Sequence, residues 1–230
     1  MSPHLKIEHP RNLLTALEKM KTNRALIFDV ETTGLLPPKT VSDVRKMPYI
    51  LQLSFVVYDL SLRRVIKMVD IVIKIPESVI IRENITKLTG ITREMCDAQG
   101  AQIQAGLREF YKDYMTCDYI VGHNIGFDKK MLKIEISRHL PELVITCPNI
   151  GKLFDKDFER ELGIANYCTM QQGRKTCNLK RTNVRGREYI KSPKLAELYY
   201  HLFGRVPENL HNSIVDTYAT MGCFLKMKVF

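Results

Sequence analysis

The chain has 230 residues, 45% of them hydrophobic and 26% charged. That suits one large soluble domain, excludes wholesale disorder, and leaves two independent cores improbable on length alone. No apolar run approaches the roughly 18–20 residues that cross a bilayer, and no signal-peptide stretch opens the sequence, so an intracellular, cytoplasmic, non-membrane protein is expected. Lys and Arg number 35 against 25 Asp and Glu, a formal +10, which attracts polyanions and puts nucleic acid first among partner classes.

The first strong segment is Arg24 to Glu31, where Ala25-Leu26-Ile27-Phe28 forms an apolar run that stops at Thr32-Thr33-Gly34 and reads as a buried central strand. Prolines 37, 38 and 48 argue against regular structure over 35–48. Ile50 to Leu60 and Val65 to Ile75 read as two further strands, joined through Ser61 to Arg64 as a hairpin or meander. Ile103, Leu107, Phe110 and Tyr114 recur at helical spacing ahead of a short strand, Tyr119 to Val121, ending at Gly122. A second helix is expected from Phe127 to Pro141, residues 141–166 are poorly periodic, and an edge strand fits Tyr167 to Met170. Ser192-Pro193 reads as a helix start with Gly204 as its stop. A last helix runs from about Ser213 to Met227, with Ile214, Tyr218, Met221 and Leu225 as its buried side. The pattern predicts an α/β layer fold with a mixed sheet covered by helices. The six cysteines show no C-x-x-C pair and read as reduced thiols.

Asp29 and Glu31 interrupt the most buried-looking strand, and at period two they share a face. Two carboxylates side by side repel, and burying them is costly without a cation; all-oxygen ligation selects hard ions such as Mg2+ or Mn2+. Asp128 follows Val121-Gly122-His123-Asn124 at a strand-to-helix edge, where open α/β sheets carry ligand sites. His211 and Asp216 are five positions apart; on one continuous helix they would point about 140° from each other, so a shared site requires His211 to lie in the loop before the helix. Each feature alone has an ordinary alternative. The D-x-E pair could simply be solvated at a strand end, Asp128 could favour a helix N-terminus, and Ser213 to Asp216 fits a capping box.

Taken together, the order Asp29, Glu31, Asp128, His211, Asp216 resembles the DnaQ-like, or DEDDh, 3'-5' exonuclease family. Phe28-Asp29-Val30-Glu31-Thr32-Thr33-Gly34 is similar to its first motif, Gly122-His123-Asn124 with Phe127-Asp128 to its second, and His211 with Asp216 to its third. Leu88-Thr89-Gly90-Ile91-Thr92 is similar to a segment that precedes the second. Within the family the chain looks most like compact stand-alone exonucleases of bacteria and large DNA viruses.

The resemblance implies an RNase H-like three-layer α/β fold with a five-stranded mixed sheet, one exonuclease domain over 1–230, an N-terminal extension over 1–22, and loop insertions at 35–48 and 141–166. It also implies release of nucleoside 5'-monophosphates from DNA 3' ends with two Mg2+ or Mn2+ ions. Asp29, Glu31, Asp128 and Asp216 would be catalytic metal ligands, with Asp29 bridging the ions. His211 would accept the proton of the attacking water, work suited to a group ordinarily titrating near about 6.5.

Thr32, Thr33, Gly34 and Asn124 are expected to hold the terminal nucleotide. Between Arg174 and Lys194 stand eight basic residues and one acid; of these Arg174, Lys175, Lys180 and Arg181 are taken as phosphate contacts. A polymerase partner fits proofreading or repair trimming. The competing readings are a 3'-5' exoribonuclease and a non-catalytic nucleic-acid-binding or polymerase-partner module.

Overall fold

A computed structural model describes residues 22–38, 40 and 43–228. The extension read over 1–22 therefore lies, Thr22 apart, outside the described residues.

β1 (Arg24–Thr32) opens with four residues fully shielded from solvent, Ala25 to Phe28. It pairs antiparallel with β2 (Ile50–Asp59), which pairs antiparallel with β3 (Arg64–Val72). The expected meander forms because the Asp59 carboxylate accepts N–H bonds from Ser61 and Leu62 at 3.0 and 2.8 Å, bending the chain between β2 and β3. Two short helices, α1 (Glu83–Thr89) and α2 (Arg93–Gln99), lead to α3 (Ile103–Tyr114). β4 (Tyr119–Gly122) then joins β1 in parallel, and α4 (Gly126–Thr146) and α5 (Lys156–Leu162) precede β5 (Ala165–Cys168), which joins β4 in parallel. The order β3-β2-β1-β4-β5 is the mixed five-stranded sheet of an RNase H-like fold. α6 (Thr169–Cys177), the hairpin β6 (Lys180–Thr182) with β7 (Glu188–Ile190), α7 (Leu195–Phe203) and α8 (Ser213–Met227) complete the chain.

The pleat of β1 divides the core. Leu26, Phe28 and Val30 face α3 and α4, where Phe110 meets Phe28 and Phe55 edge-on at 5.1 and 5.5 Å. Ala25 and Ile27 face the other way, onto Phe224 of α8 with Val56 and Val121. Gly106 lets α3 lie close to the sheet, since a Cβ there would sit 2.5 Å from Ile71 Cδ1. Asp29 and Glu31 continue the α8 face beyond Ile27, so the pleat that builds the core also sets their direction.

The structure corrects several expectations. Residues 141–166, expected as a loop, carry regular structure: α4 continues to Thr146, a single turn spans Ile150–Lys152, and α5 follows, capped by Asp155 accepting from the N–H groups of Asp157 and Phe158. Pro141 does not end α4 because the chain kinks first, at His139 (φ −121°), so the proline falls in the first turn of a restarted helix, where no intrahelical donor is lost. The edge strand ends at Cys168, two residues before Met170, because Thr169 already starts α6.

On α8 the buried residues are Ser213, Thr217, Ala219, Thr220, Cys223 and Phe224, while Tyr218 is 40% exposed. Ile214, Met221 and Leu225 pack partly buried against the Phe224 cluster as expected, but an apolar-period reading misses the fully buried residues, most of which are small or hydroxylated. Among the described residues of 35–48 regular structure is confined to a turn at Val44–Lys46, in keeping with the prolines. All six cysteines are buried and unpaired, and among the described residues no helix is long and apolar enough to cross a membrane.

Replacing Phe110 by alanine removes the ring on which both Phe28 and Phe55 rest, and should cost about 3–5 kcal/mol in urea unfolding. Tyr218→Ala should cost less than about 1 kcal/mol. Equal losses would contradict the assignment of the α8 face.

Candidate active site

Three segments far apart in sequence meet at one edge of the sheet. β1 contributes Asp29 and Glu31. Its pairing with β4 runs only as far as Ile27 opposite Val121, and beyond that point the Val30 N–H donates to Asp128 Oδ1 at 3.3 Å from the first turn of α4. Asp128 is buried, 4% exposed. It thus satisfies the strand's backbone while standing beside the strand's acids.

The third segment is the start of α8. Asn212, not Ser213, caps the helix by accepting the Ile214 N–H, so Ser213 to Asp216 does not form a capping box. Ser213 instead donates its hydroxyl to the Asp29 carbonyl at 2.7 Å, and its N–H goes to Gln52 Oε1 at 3.2 Å. Gln52 and Ser54 both donate to Asp70 Oδ1, at 2.8 and 2.6 Å, and Thr217 donates to the Ser54 carbonyl. These polar residues seat α8 on β1 and β2. Sequence reading missed them, because Ser213 lies 184 residues from Asp29 and 161 from Gln52, and no local spacing reports such partners.

His211 lies outside the helix, as the shared site requires, with φ +70°. That left-handed conformation is uncommon for a residue with a side chain. Its N–H points at both Asp216 carboxylate oxygens, 3.3 Å from each, so Asp216 fixes the bend that presents the imidazole. A ring nitrogen of His211 and carboxylate oxygens of Glu31 and Asp216 all lie within 4.8 Å of one another.

Electrostatics ties in the other two acids. Burial, then the charges of Asp128, Asp216 and Glu31, raise Asp29 well above the usual carboxylate range. Burial, then Asp216 and Asp128, push Glu31 up to about 8. Burial is also the first cause for Asp128, pushed to about 7 against the pull of its own and the Val30 N–H, and for Asp216, pushed to about 6. Among the described residues, the groups that oppose the rise are N–H donors, the Ser213 hydroxyl and His211, not a lysine or an arginine. A cluster of four carboxylates left in this state fits hard divalent cations, which supply the missing positive charge with oxygen ligation.

Around this cluster, Thr32 Oγ1 donates to the Gly34 carbonyl at 2.8 Å, and Thr33 Oγ1 accepts the Tyr49 N–H at 3.0 Å, so both hydroxyls shape the turn after β1. A Cβ on Gly34 would meet open space, which leaves that backbone approachable. Asn124 is exposed in the β4–α4 turn with φ +61°. His123, beside it, is half-buried: Nδ1 lies 2.9 Å from Thr169 Oγ1, Nε2 has no hydrogen-bond partner among the described residues, and burial holds it down to about 4, hence neutral. The basic stretch is apart from the acids, on α6 and the β6–β7 hairpin. Arg174 is partly engaged there, its Nε donating to the Ile190 carbonyl, and Lys191 pairs with Glu197. Lys175, Lys180 and Arg181 are exposed.

A carboxylate cluster at the edge of such a sheet has the donor chemistry to hold metal ions of the kind that assist phosphodiester hydrolysis. The Exonuclease family model matches residues 26–224, and the chain belongs to that family. No curated protein matches it significantly in sequence.

Among solved structures it is similar to E. coli exonuclease I in complex with a dT13 oligonucleotide, at 18% identity and TM-score 0.61, over 89% of this chain and 41% of that one. It is similar to exonuclease I from Methylocaldum szegediense at 19% identity and TM-score 0.60, over 90% and 41%. A zinc-bound E. coli ExoI–ssDNA complex gives 17% identity and TM-score 0.64, over 91% and 41%. The chain spans about two fifths of the length of these proteins.

The raised acids set a stability test. Each binds its proton more tightly folded than unfolded, so their contribution is fully present below about pH 4 and is lost as the pH rises through about 6, 7 and 8. Metal-free protein should melt at a lower temperature at about pH 8.5 than at about pH 5, and millimolar Mg2+ or Mn2+ should restore the loss at the higher pH. Asp29→Asn should flatten this pH dependence in a melting scan; a profile as steep as wild type would show that the carboxylates do not repel.

Proposed function

We propose that the chain is a metal-dependent 3'-5' exonuclease acting as one domain on DNA, releasing nucleoside 5'-monophosphates. The observation that carries this reading is the convergence of four mutually repelling carboxylates and one histidine at the sheet edge. Asp29, Glu31, Asp128 and Asp216 would hold two Mg2+ or Mn2+ ions. Bound there, such ions activate a water and stabilise charge on the leaving 3'-oxygen. A DNA substrate is supported by the dT13 oligonucleotide held by the E. coli relative.

The chain's own residues then have defined tasks. His211, beside Glu31 and Asp216, takes the proton of the attacking water on a ring nitrogen and hands it to solvent, to which it is exposed. Asp216 orients that imidazole through the His211 N–H. The open backbone at Gly34 and the exposed Asn124 flank the acids and position the terminal nucleotide. Lys175, Lys180 and Arg181, with Arg174, draw in the phosphate backbone without reading sequence.

A 5'-labelled DNA oligonucleotide should give a ladder that needs Mg2+ or Mn2+ and vanishes in Asp29→Ala. An intact label-length product under all conditions would overturn the reading. His211→Ala should lower turnover by about 10² to 10⁴ while leaving the melting temperature near wild type; an undiminished rate would remove His211 from the reaction. An RNA oligonucleotide of the same sequence, degraded faster than the DNA, would reassign the substrate.

A further inference from the structure

The segment between α6 and α7 forms an arm. Lys180 to Thr182 pair with Glu188 to Ile190, and the Lys191 N–H to Leu179 carbonyl bond at 2.8 Å closes the base. The base is anchored at the active edge. Pro193, just past it, has its carbonyl beside half-buried His123, and α6, which leads into the arm, starts at Thr169, which bonds both His123 and the Gly122 carbonyl, one or two residues from Asn124.

The far end is a rigid turn. Asn183 Oδ1 accepts the N–H groups of Arg185 and Arg187 at 2.9 and 3.0 Å, the Asn183 N–H donates to the Arg187 carbonyl, and Gly186 takes φ +75°, which glycine adopts without strain. This turn holds Val184 out with 104% exposure, between Asn183 and Arg185. A β-branched apolar residue gains nothing from water at such a point. Lys180, Arg181, Arg185 and Arg187 stand exposed along the same arm, and Tyr189 lies opposite Arg181 at 47% exposure.

An apolar tip on a preorganised basic arm suits a double-stranded end. Its cations hold phosphates on both strands, and its apolar side chain enters between terminal base pairs, as apolar wedges do when they unstack duplex steps. We infer that the β6–β7 hairpin is a strand-separating wedge, with Val184 opening duplex DNA ends so that the 3' strand reaches the carboxylates. This deepens the exonuclease reading and rests on it.

The test uses the full chain, Val184→Ser and Val184→Leu. Rates are measured on a blunt duplex and on the same strand alone, both 5'-labelled. The duplex carries 2-aminopurine next to its 3' end, and its fluorescence is read with Ca2+ replacing Mg2+. The wild type should raise the fluorescence on binding. Val184→Ser should lose that rise and cut the duplex-to-single-strand rate ratio about tenfold or more, and Val184→Leu should keep both. A fluorescence rise retained in Val184→Ser, or rates lowered equally on both substrates, would overturn the wedge. A wild type that degrades neither substrate would sink the nuclease reading while the fluorescence arm still judges the wedge.

Discussion

The repulsion among four carboxylates, Asp128 buried and the other three half-buried, is the constraint on which the site depends. Asp29 is the pivot, since Asp128, Asp216 and Glu31 all raise it. Nothing in the local chemistry favours the arrangement, and the fold imposes it. The Val30 N–H fixes Asp128, the His211 N–H fixes Asp216, and the Ser213 hydroxyl ties the start of α8 to the Asp29 carbonyl. Each of these bonds is local and modest. Together they hold acids in a state that dications relieve, the arrangement expected of a site that gives up stability for function.

The polar underside of α8 follows from the same constraint. A helix packed through leucines stands well off a sheet, whereas Ser213, Thr217 and Thr220 are small and buried. Buried Gln52 and Ser54, both donating to exposed Asp70 on β3, supply acceptors and donors where an apolar surface would leave the Ser213 N–H unsatisfied. Phe224, three turns on, returns α8 to ordinary apolar packing. The helix is thus polar where it must place Asp216 and apolar where it need only be held.

Much of this was legible in the residues. The uninterrupted apolar run Ala25 to Phe28 gave away the central strand, period two placed Asp29 and Glu31 on one face, and the 140° argument put His211 outside α8. What stayed hidden had non-local causes. Pro141 masked the continuation of α4, which kinks at His139 and then restarts. The buried face of α8 carries hydroxyls whose partners lie more than 160 residues away. The basic stretch read as charge alone, since a strand of three residues such as β6 is too short to show a period. The role of His123 likewise depends on Thr169, which only the fold brings to it.

The account turns on cations being the missing partner of the acids. Manganese binding followed by electron paramagnetic resonance and calorimetry measures this directly. Saturable uptake of two Mn2+ per chain, with spectra broadened by coupling between neighbouring ions and one or both ions lost in Glu31→Gln, is the predicted result. A wild-type chain that takes up no more manganese than Glu31→Gln, or whose ions show no coupling, would contradict it.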